Sequence, residues 1–317
     1  NMDDQSSFGN IKDNVYSANA YINSFSIAEA LKTGANIVLA GRVSDPGLVL
    51  GPAIYEFGWK KDDYDKLAAG TLAGHILECG AQCSGGNFTD WKNIPELDNV
   101  GYPIAHLSDD TTFQITKPEK TGGLVNKYTI IEQILYEMGD PKNYISPDVV
   151  VDFTSFNLNE ISDNVVEVSG VKGYPATDTY KVSINYFNGY KASGQLTISG
   201  PDALEKAEFT SKLIWSRLEN AGINFDETLT EYLGVSSCHG NRIKEFKSEP
   251  NEVVLRLSIR DNDKNKVIRF GKELAPVITS GPPGVTGFSG GRPRPQEIIA
   301  FWPCLINKKH IKIKVIS

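Results

Sequence analysis

The 317-residue sequence lacks long apolar runs and has few cysteines. No stretch approaches the ~20 apolar residues that a membrane-spanning helix requires, and no charged start leads into an apolar signal core. The four cysteines, Cys79, Cys83, Cys238 and Cys304, are too few and too unevenly spaced for a disulfide framework. These absences argue against a membrane protein and a disulfide-stabilised secreted domain, so we expect a soluble, cytoplasmic protein with reduced thiols.

An excess of basic charge is also missing, since the formal net charge is −7 at pH 7. Nucleic-acid affinity depends mainly on phosphate contacts from a clustered basic face. Lysines cluster near the C-terminus, at Lys308, Lys309, Lys312 and Lys314. The last two alternate with isoleucines, which is typical of a half-buried strand. We therefore expect no nucleic-acid partner and a strand over residues 311–316.

The composition is otherwise that of a globular protein with a large core, with 40% hydrophobic and 22% charged residues. A typical domain of ~150 residues predicts two domains for this length. Hydrophobic patterning changes near residue 160, from helices and buried strands to alternating strands. We predict an α/β fold, with an α/β layered unit over residues 1–160 and an α+β sandwich unit with antiparallel hairpin strands over residues 161–317.

Local patterns predict the main elements of both halves. The apolar run at residues 35–40 predicts a buried strand, and Asp45 with Pro46 predicts the capped start of the next helix. Asn188-Gly189, between two alternating runs, is a strong signal for a two-residue hairpin. Helices are predicted over residues 25–32, 45–55, 63–80, 129–138, 203–221 and 264–278, and a further hairpin over residues 102–116.

A glycine-rich loop over residues 280–293 is a candidate ligand-binding segment. Glycines let the backbone approach a ligand closely, and arginines neutralise an anion. The loop matches neither nucleotide-binding glycine pattern, and we interpret the letter match of Ser289 to a nucleophile elbow as chance. The alternative is an ordered loop whose glycines and prolines only set turns. The candidate residues are Ser280, Gly281, Gly284, Thr286, Gly287, Gly290, Gly291 and Arg292.

Residues 41–46 follow the predicted buried strand, at the strand end where open α/β sheets bind ligands. We expect Arg42 to hold an anionic group and Asp45 to serve as an acid or base. The alternative is that Asp45 only caps the helix and pairs with Arg42. Glu78, near the end of the helix over residues 63–80, is the second acid/base candidate.

Two further glycine segments are candidate walls of the same cleft. They are Gly85 with Gly86, and Thr121 with Gly122 and Gly123. Backbone amides at such turns cradle anions. The alternative is that both segments are turns next to helices.

A metal site is not expected near Glu78. His75, Cys79 and Cys83 would supply three zinc ligands only if the helix continued through Gly80. Because Gly80 favours a helix end and no fourth ligand is evident, we predict no metal. The sequence identifies no cofactor.

Several of these motifs, in this order, resemble the acyclic terpene utilisation (AtuA) family. The resemblance extends from about residue 14 to residue 303. Its motifs are Ser17-Ala18-Asn19-Ala20-Tyr21, Gly41-Arg42-Val43-Ser44-Asp45-Pro46, Glu78-Cys79-Gly80-Ala81-Gln82 with Gly85-Gly86, Thr121-Gly122-Gly123-Leu124-Val125, and the loop over residues 280–293.

The resemblance implies a role in growth on citronellol-type terpenes, beside enzymes that handle branched acyl-CoA thioesters. It also implies a further segment ahead of residue 17 and a ferredoxin-like module, neither of which is evident in this sequence. It transfers no catalytic residue. We therefore expect an enzyme for a small carboxylate or its CoA thioester, acting by hydration, lysis or acyl transfer. Asp45 and Glu78 are its acid/base candidates, and Arg42 and Arg292 its anion clamps.

The alternative is a non-catalytic binding or assembly subunit that supports an acyl-CoA carboxylase. The absence of a clear nucleophile or metal set favours this alternative. Expected protein partners are a second copy of the chain or a ferredoxin-like module.

Overall fold

The computed structural model describes residues 1–242, 249–287 and 290–316. The chain divides into two compact units. Unit 1 contains Asn1–Gln5, Ala18–Ile184 and the residues from Pro303 onward, and unit 2 contains Ser6–Ser17 and Asn185–Trp302. Residues 161–184 therefore belong to unit 1. A domain boundary near residue 160 stays a prediction for limited proteolysis.

Helices and antiparallel sheets are mixed along the chain, as the predicted α/β class requires. The helices are α1 Phe25–Leu31, α2 Gly47–Phe57, α3 Tyr64–Glu78, α4 Lys127–Leu135, α5 Ala203–Asn220, α6 Lys264–Glu273 and α7 Val277–Ser280. The strands are β1 Val15–Ala20, β2 Ile104–Leu107, β3 Phe113–Thr116, β4 Tyr144–Ile145, β5 Val149–Asp152, β6 Asn157–Ser162, β7 Val165–Ser169, β8 Lys172–Pro175, β9 Thr179–Ser199, β10 Glu227–Leu233, β11 Glu252–Asp261, β12 Val285–Thr286 and β13 Gln296–Asn307. Within the described ranges, no helix has the length and apolar character to cross a membrane.

Unit 1 is organised around α3. Two antiparallel sheets, β2-β3-β7-β6 and β4-β5-β8, supply much of the core with α3. Leu67, Leu72 and Ile76 of α3 are fully buried, and so are its small residues. A helix that is apolar on all sides is buried on all sides, which explains why α3 has no solvated face over most of its length.

A close helix contact fixes the start of α2 against α3. A Cβ atom on Gly74 would lie 2.6 Å from the Cα atom of Pro46. Only glycine allows this approach of α3 to the backbone of Pro46. The contact holds the preceding residue, Asp45, beside the C-terminal half of α3.

Unit 2 is an antiparallel sheet packed against helices. β11 lies between β9 and β10, and β12 pairs with β9. Strands β1 and β13 also pair with β9. Inward-facing Leu255 and Leu257 pack with Ile214 of α5 and Phe270 of α6 in one apolar cluster. This arrangement agrees with the expected α+β character.

The hairpin predicted at Asn188-Gly189 is wrong. β9 runs without a turn from Thr179 to Ser199, and its residues 190–199 pair with β11 instead. Gly189 has a φ of 86°, a conformation that side-chain-bearing residues rarely adopt. A glycine of this kind inside a strand marks a local irregularity, and a short-range turn signal does not distinguish the two cases. The hairpin predicted over residues 102–116 is confirmed by the pairing of β2 with β3.

The strands predicted over residues 35–40 and 311–316 are also wrong. Neither segment forms a strand in the described structure. Ile37 and Leu39 are 88% and 98% exposed, because no neighbouring strand of the described chain covers them. Apolar composition predicts burial, but a strand also needs a partner for its backbone.

The helix predicted over residues 264–278 is interrupted. α6 ends at Glu273, and α7 begins after Pro276. Proline lacks the amide hydrogen that helix continuation requires. The helices predicted over residues 63–80 and 203–221 agree with α3 and α5 to within two residues.

Candidate functional site

Three candidate residues line one cavity of unit 1. The cavity has a volume of about 470 Å³, which is within the range of small-molecule sites, ~300–1,000 Å³. Arg42, Asp45 and Glu78 supply its charged groups. Its remaining lining residues, which are mainly apolar or small, are Gly41, Val43, Ser44, Leu48, Val49, Gly74 and Leu77. We call this space the Asp45–Glu78 cavity.

Arg42 and Asp45 form an ion pair at this cavity. The Nη2 atom of Arg42 lies 2.8 Å from Oδ1 and 3.0 Å from Oδ2 of Asp45. The guanidinium also lies over the Tyr21 ring, 4.4 Å from its centroid. Both contacts with Asp45 use the same terminal nitrogen, so further N–H groups of the guanidinium remain for a ligand. Asp45 pairs with Arg42, and the residue that caps α2 is the next one, Pro46.

Glu78 lies next to a buried histidine in the last turn of α3. The Nδ1 atom of His75 is 3.7 Å from Glu78 Oε2, and His75 Nε2 is 3.1 Å from the carbonyl oxygen of Ile134. A carbonyl oxygen only accepts hydrogen bonds, so Nε2 carries the hydrogen. Nδ1 is buried, and it has no hydrogen-bond partner among the residues that the structure describes. Nδ1 therefore has the Glu78 carboxyl group as its nearest charged neighbour.

Tyr144 joins this group, although the sequence analysis did not identify it. Its ring stacks on Phe153 at 4.7 Å and lies 5.6 Å from the His75 ring. Burial, and then the negative charges of Glu78 and Asp45, raise the pKa of the Tyr144 hydroxyl. The hydroxyl thus stays protonated and is a neutral hydrogen-bond donor. Tyr144 lies in a two-residue strand, so no sequence pattern marks it.

A second cavity, of about 370 Å³, includes Asp45 and Tyr144 in its lining. Asp45 and Ser44 line both cavities. Hydroxyl-bearing side chains dominate the polar part of the second cavity, together with Lys181. Asp45 is therefore placed to act on a ligand that occupies either space.

A buried carboxyl group, Asp148, anchors Ser24 at the start of α1 in unit 1. Its oxygens accept hydrogen bonds from the Ser24 amide, at 2.9 and 3.0 Å, and from the Ser24 hydroxyl, at 2.8 Å. Burial raises the pKa of Asp148 to about 6, although the bonds from Ser24 and the charge of Lys308 act in the opposite direction. Asp148 lines neither cavity and has a structural role.

The glycines near residues 85 and 122 serve backbone packing. Gly85 and Gly86 donate their amides to Gln82 and Ala81 carbonyls, and Gly122 and Gly123 donate theirs to Asn99 and Pro95. A Cβ atom on Gly122 would collide with the Glu96 backbone. Thr121 donates its hydroxyl to Pro118. These amides are already bonded, so the geometry favours the turn interpretation over an anion cradle.

The predicted loop over residues 280–293 lies in unit 2. Ser280 donates its hydroxyl to the Pro276 carbonyl, and Thr286 donates its hydroxyl to Thr197. Gly281 donates its amide to Val277, and the Gly284 carbonyl accepts from Ser199. These contacts anchor the first half of the loop to unit 2.

The second half of the loop lines open cavities. Gly287, Gly291 and Arg292 line one, and Gly290, Gly291 and Arg292 line another. Phe288 and Ser289, and with them the nucleophile-elbow match, lie outside the described residues. The sequence predicts one cleft lined by the candidate residues of unit 1 and by the loop over residues 280–293. This expectation stays a prediction.

The thiols beside Glu78 differ in burial. Cys83 is buried, and burial raises the pKa of its thiol to about 12. Such a thiol remains protonated at neutral pH and is a poor metal ligand. Over the described ranges of the chain, no group of three or more His, Cys, Asp or Glu side chains is placed to hold a metal ion.

The full length of the chain, residues 1–317, matches the family model for acyclic terpene utilisation family protein AtuA. The chain therefore belongs to the AtuA family, as the sequence motifs predict. Searches of the curated proteins and of the solved structures found no match. The family membership implies involvement in acyclic terpene utilisation.

Proposed function

We propose that the Asp45–Glu78 cavity binds a branched terpenoid carboxylate or its CoA thioester, and that the protein is a cytoplasmic enzyme acting on this ligand. The position of Arg42, Asp45 and Glu78 on one cavity carries the proposal. A cation suits a carboxylate or thioester oxygen, and two carboxyl groups suit proton transfer. The apolar lining residues suit a hydrocarbon chain.

Two carboxyl groups favour hydration, or its reverse, over acyl transfer. When water adds to an α,β-unsaturated thioester, a base removes a proton from water as the oxygen bonds to the β-carbon. An acid then delivers a proton to the α-carbon. We assign these roles to Glu78 and Asp45. Tyr144 lines the second cavity, so we assign to its hydroxyl a hydrogen bond to the carbonyl oxygen, where charge develops, in a ligand that extends into that space.

Acyl transfer needs a nucleophile as well. Among the residues that line the Asp45–Glu78 cavity, Ser44 has the only hydroxyl group, and its side chain is mostly buried. No lining residue is a cysteine. The lining set thus supports proton transfer better than covalent catalysis.

Calorimetric titration with citronellate tests the binding part of the proposal. Replacing Arg42 by glutamine removes a charge-assisted contact, so we expect affinity to fall about tenfold or more. Lys32→Gln is the matched control, because Lys32 forms an exposed i,i+3 ion pair with Glu29, as Arg42 does with Asp45, and lines neither cavity. Unchanged affinity in Arg42→Gln would refute the clamp.

Turnover separates the enzyme from the alternative. The purified chain should convert branched acyl-CoA thioesters, and Glu78→Gln should abolish conversion while citronellate still binds. Binding without turnover, together with co-purification of an acyl-CoA carboxylase, supports a binding or assembly subunit instead. A second copy or a ferredoxin-like module is the protein partner to seek in that case.

A further inference from the structure

A basic cavity lies in unit 2, beside α6. Its volume is about 530 Å³, and its lining comes from α6 and from residues 290–295. Three lining side chains carry positive charge: Lys272, Arg292 and Arg294. The remaining lining residues are Ile268, Gly271, Gly290, Gly291, Pro293 and Pro295, so the wall contains no acidic residue.

These three cations differ from their neighbours on α6. Arg269 pairs with Glu273, and Lys266 pairs with Asp261. Lys272, Arg292 and Arg294 are exposed and form no ion pair within the described part of the chain. Three unpaired cations around one space repel each other, and an anion removes this repulsion.

The backbone that carries the two arginines is held in place. A Cβ atom on Gly271 would lie 2.5 Å from the Pro293 carbonyl oxygen, and one on Gly194 would lie 2.8 Å from Pro293 Cγ. Pro293 therefore packs closely on α6 and β9 where these glycines make room. Arg292 and Arg294 each precede a proline, which restricts both to extended backbone. The cations are thus presented from a constrained segment.

Two glycines in the lining offer little obstruction to a ligand. Gly290 and Gly291 have no side chains, so a ligand can approach their backbone closely. A Cβ atom on Gly291 would meet no atom within 4 Å. The cavity can therefore admit a bulky anionic group.

We propose that this cavity binds a small molecule with clustered phosphate groups, such as the diphosphate of a nucleotide-type coenzyme. Arginines bind phosphate through paired N–H donors, and lysine adds a point charge. Three cations match a ligand with several negative charges better than one with a single carboxylate. The inference does not depend on the function proposed for unit 1, because its residues all lie in unit 2.

Titration of the full chain with inorganic pyrophosphate, and separately with coenzyme A, tests the proposal. We expect saturable binding that weakens as salt is added. Arg292→Gln, Arg294→Gln and Lys272→Gln should each lower affinity by about three- to tenfold, the effect of one charge-assisted contact near the surface. Coenzyme A binding without pyrophosphate binding, if Arg292→Gln weakens it, also supports the site.

Lys212→Gln is the matched control. Lys212 is an exposed lysine of α5 in the same unit, and it does not line the cavity. Its replacement changes the net charge equally and should leave affinity unchanged. Absence of saturable binding for both probes, or equal weakening in Lys212→Gln, would overturn the proposal. Circular dichroism of each variant checks that the fold is retained.

Discussion

The Nδ1 atom of His75 faces the carboxyl group of Glu78, with 3.7 Å between Nδ1 and Oε2. His75 is almost fully buried, and its other nitrogen donates to the Ile134 carbonyl. Two acceptor atoms at this distance gain a favourable interaction when a proton lies between them. His75 is therefore placed as a positioning residue behind Glu78.

We predict that the neutral ring of His75 is the Nε2-protonated tautomer. Nitrogen-detected NMR of the imidazole should show a protonated Nε2 and an unprotonated Nδ1. Glu78→Gln replaces one carboxyl oxygen by an amide donor, which should hydrogen bond to Nδ1 and shift its resonance. The opposite tautomer would contradict the arrangement.

Asp148 should make stability depend on pH in an unusual direction for an aspartate. Burial raises its pKa from the ordinary 3.8 to about 6, so the folded state binds the proton more tightly than the unfolded chain does. The stabilising contribution is then present below pH 4 and is lost as the pH rises to about 6 and beyond. A shift of this size corresponds to about 3 kcal/mol at most.

Chemical denaturation of Asp148→Asn measures this contribution. Asparagine keeps an acceptor for the Ser24 amide but has no ionisable proton. The variant should gain stability relative to the wild type between pH 4.5 and pH 7.5, by an amount that approaches the value above. The charge of Lys308 lowers the pKa of Asp148. Introducing Lys308→Gln into the wild type and into Asp148→Asn therefore measures how much of the pH dependence of stability comes from that charge. Parallel pH curves for the variant and the wild type would rule the effect out.

Long, strongly patterned helices could be predicted from the sequence. The spacing of apolar residues over 63–80 and 203–221 predicts α3 and α5 correctly. A helix forms its backbone hydrogen bonds within its own segment, so it depends little on distant residues. Strands depend on partners. The apolar run at residues 35–40 and the Asn188-Gly189 signal failed because local sequence does not specify which strand, if any, lies alongside.

The candidate site could also be predicted only where local sequence carries the signal. Arg42 and Asp45 are predicted because they follow an expected strand over residues 35–40, which the structure does not form, and Glu78 is predicted because it lies near a helix end. The structure nevertheless places all three on one cavity. Tyr144 and His75 were not assigned a role in that site. Their relevance arises from packing between α3 and β4, which brings together residues distant in sequence. The glycines near residue 122 are candidates for ligand binding or for turns, and the sequence does not separate the two because close backbone crossings require the same residue type.

Ile37 and Leu39 should tolerate charge. Both side chains are almost fully exposed, so replacing them with lysine removes little burial. We expect Ile37→Lys and Leu39→Lys to change the free energy of unfolding by about 0.5 kcal/mol or less. Leu50→Lys is the contrasting control, because Leu50 is buried in the core of unit 1 and its replacement should prevent folding. Substantial destabilisation by Leu39→Lys would show that the segment is covered in the folded protein.

The contact between α3 and the backbone of Pro46 gives the last prediction. An alanine in a helix interior is more favourable than glycine by about 1 kcal/mol, a gain available at both Gly70 and Gly74. At Gly70 the added methyl group would meet the end of the Leu50 side chain at 2.7 Å, which can rotate away. At Gly74 it would meet the Cα and carbonyl oxygen atoms of Pro46, both at 2.6 Å, which cannot move without shifting α2.

Overpacking against backbone costs about 1–3 kcal/mol, so Gly74→Ala should be less stable than Gly70→Ala by about 1–2 kcal/mol in urea denaturation. Because Asp45 precedes Pro46, Gly74→Ala should also weaken citronellate binding, whereas Gly70→Ala should not; equal stability and equal affinity of the two variants would show that the contact does not position Asp45.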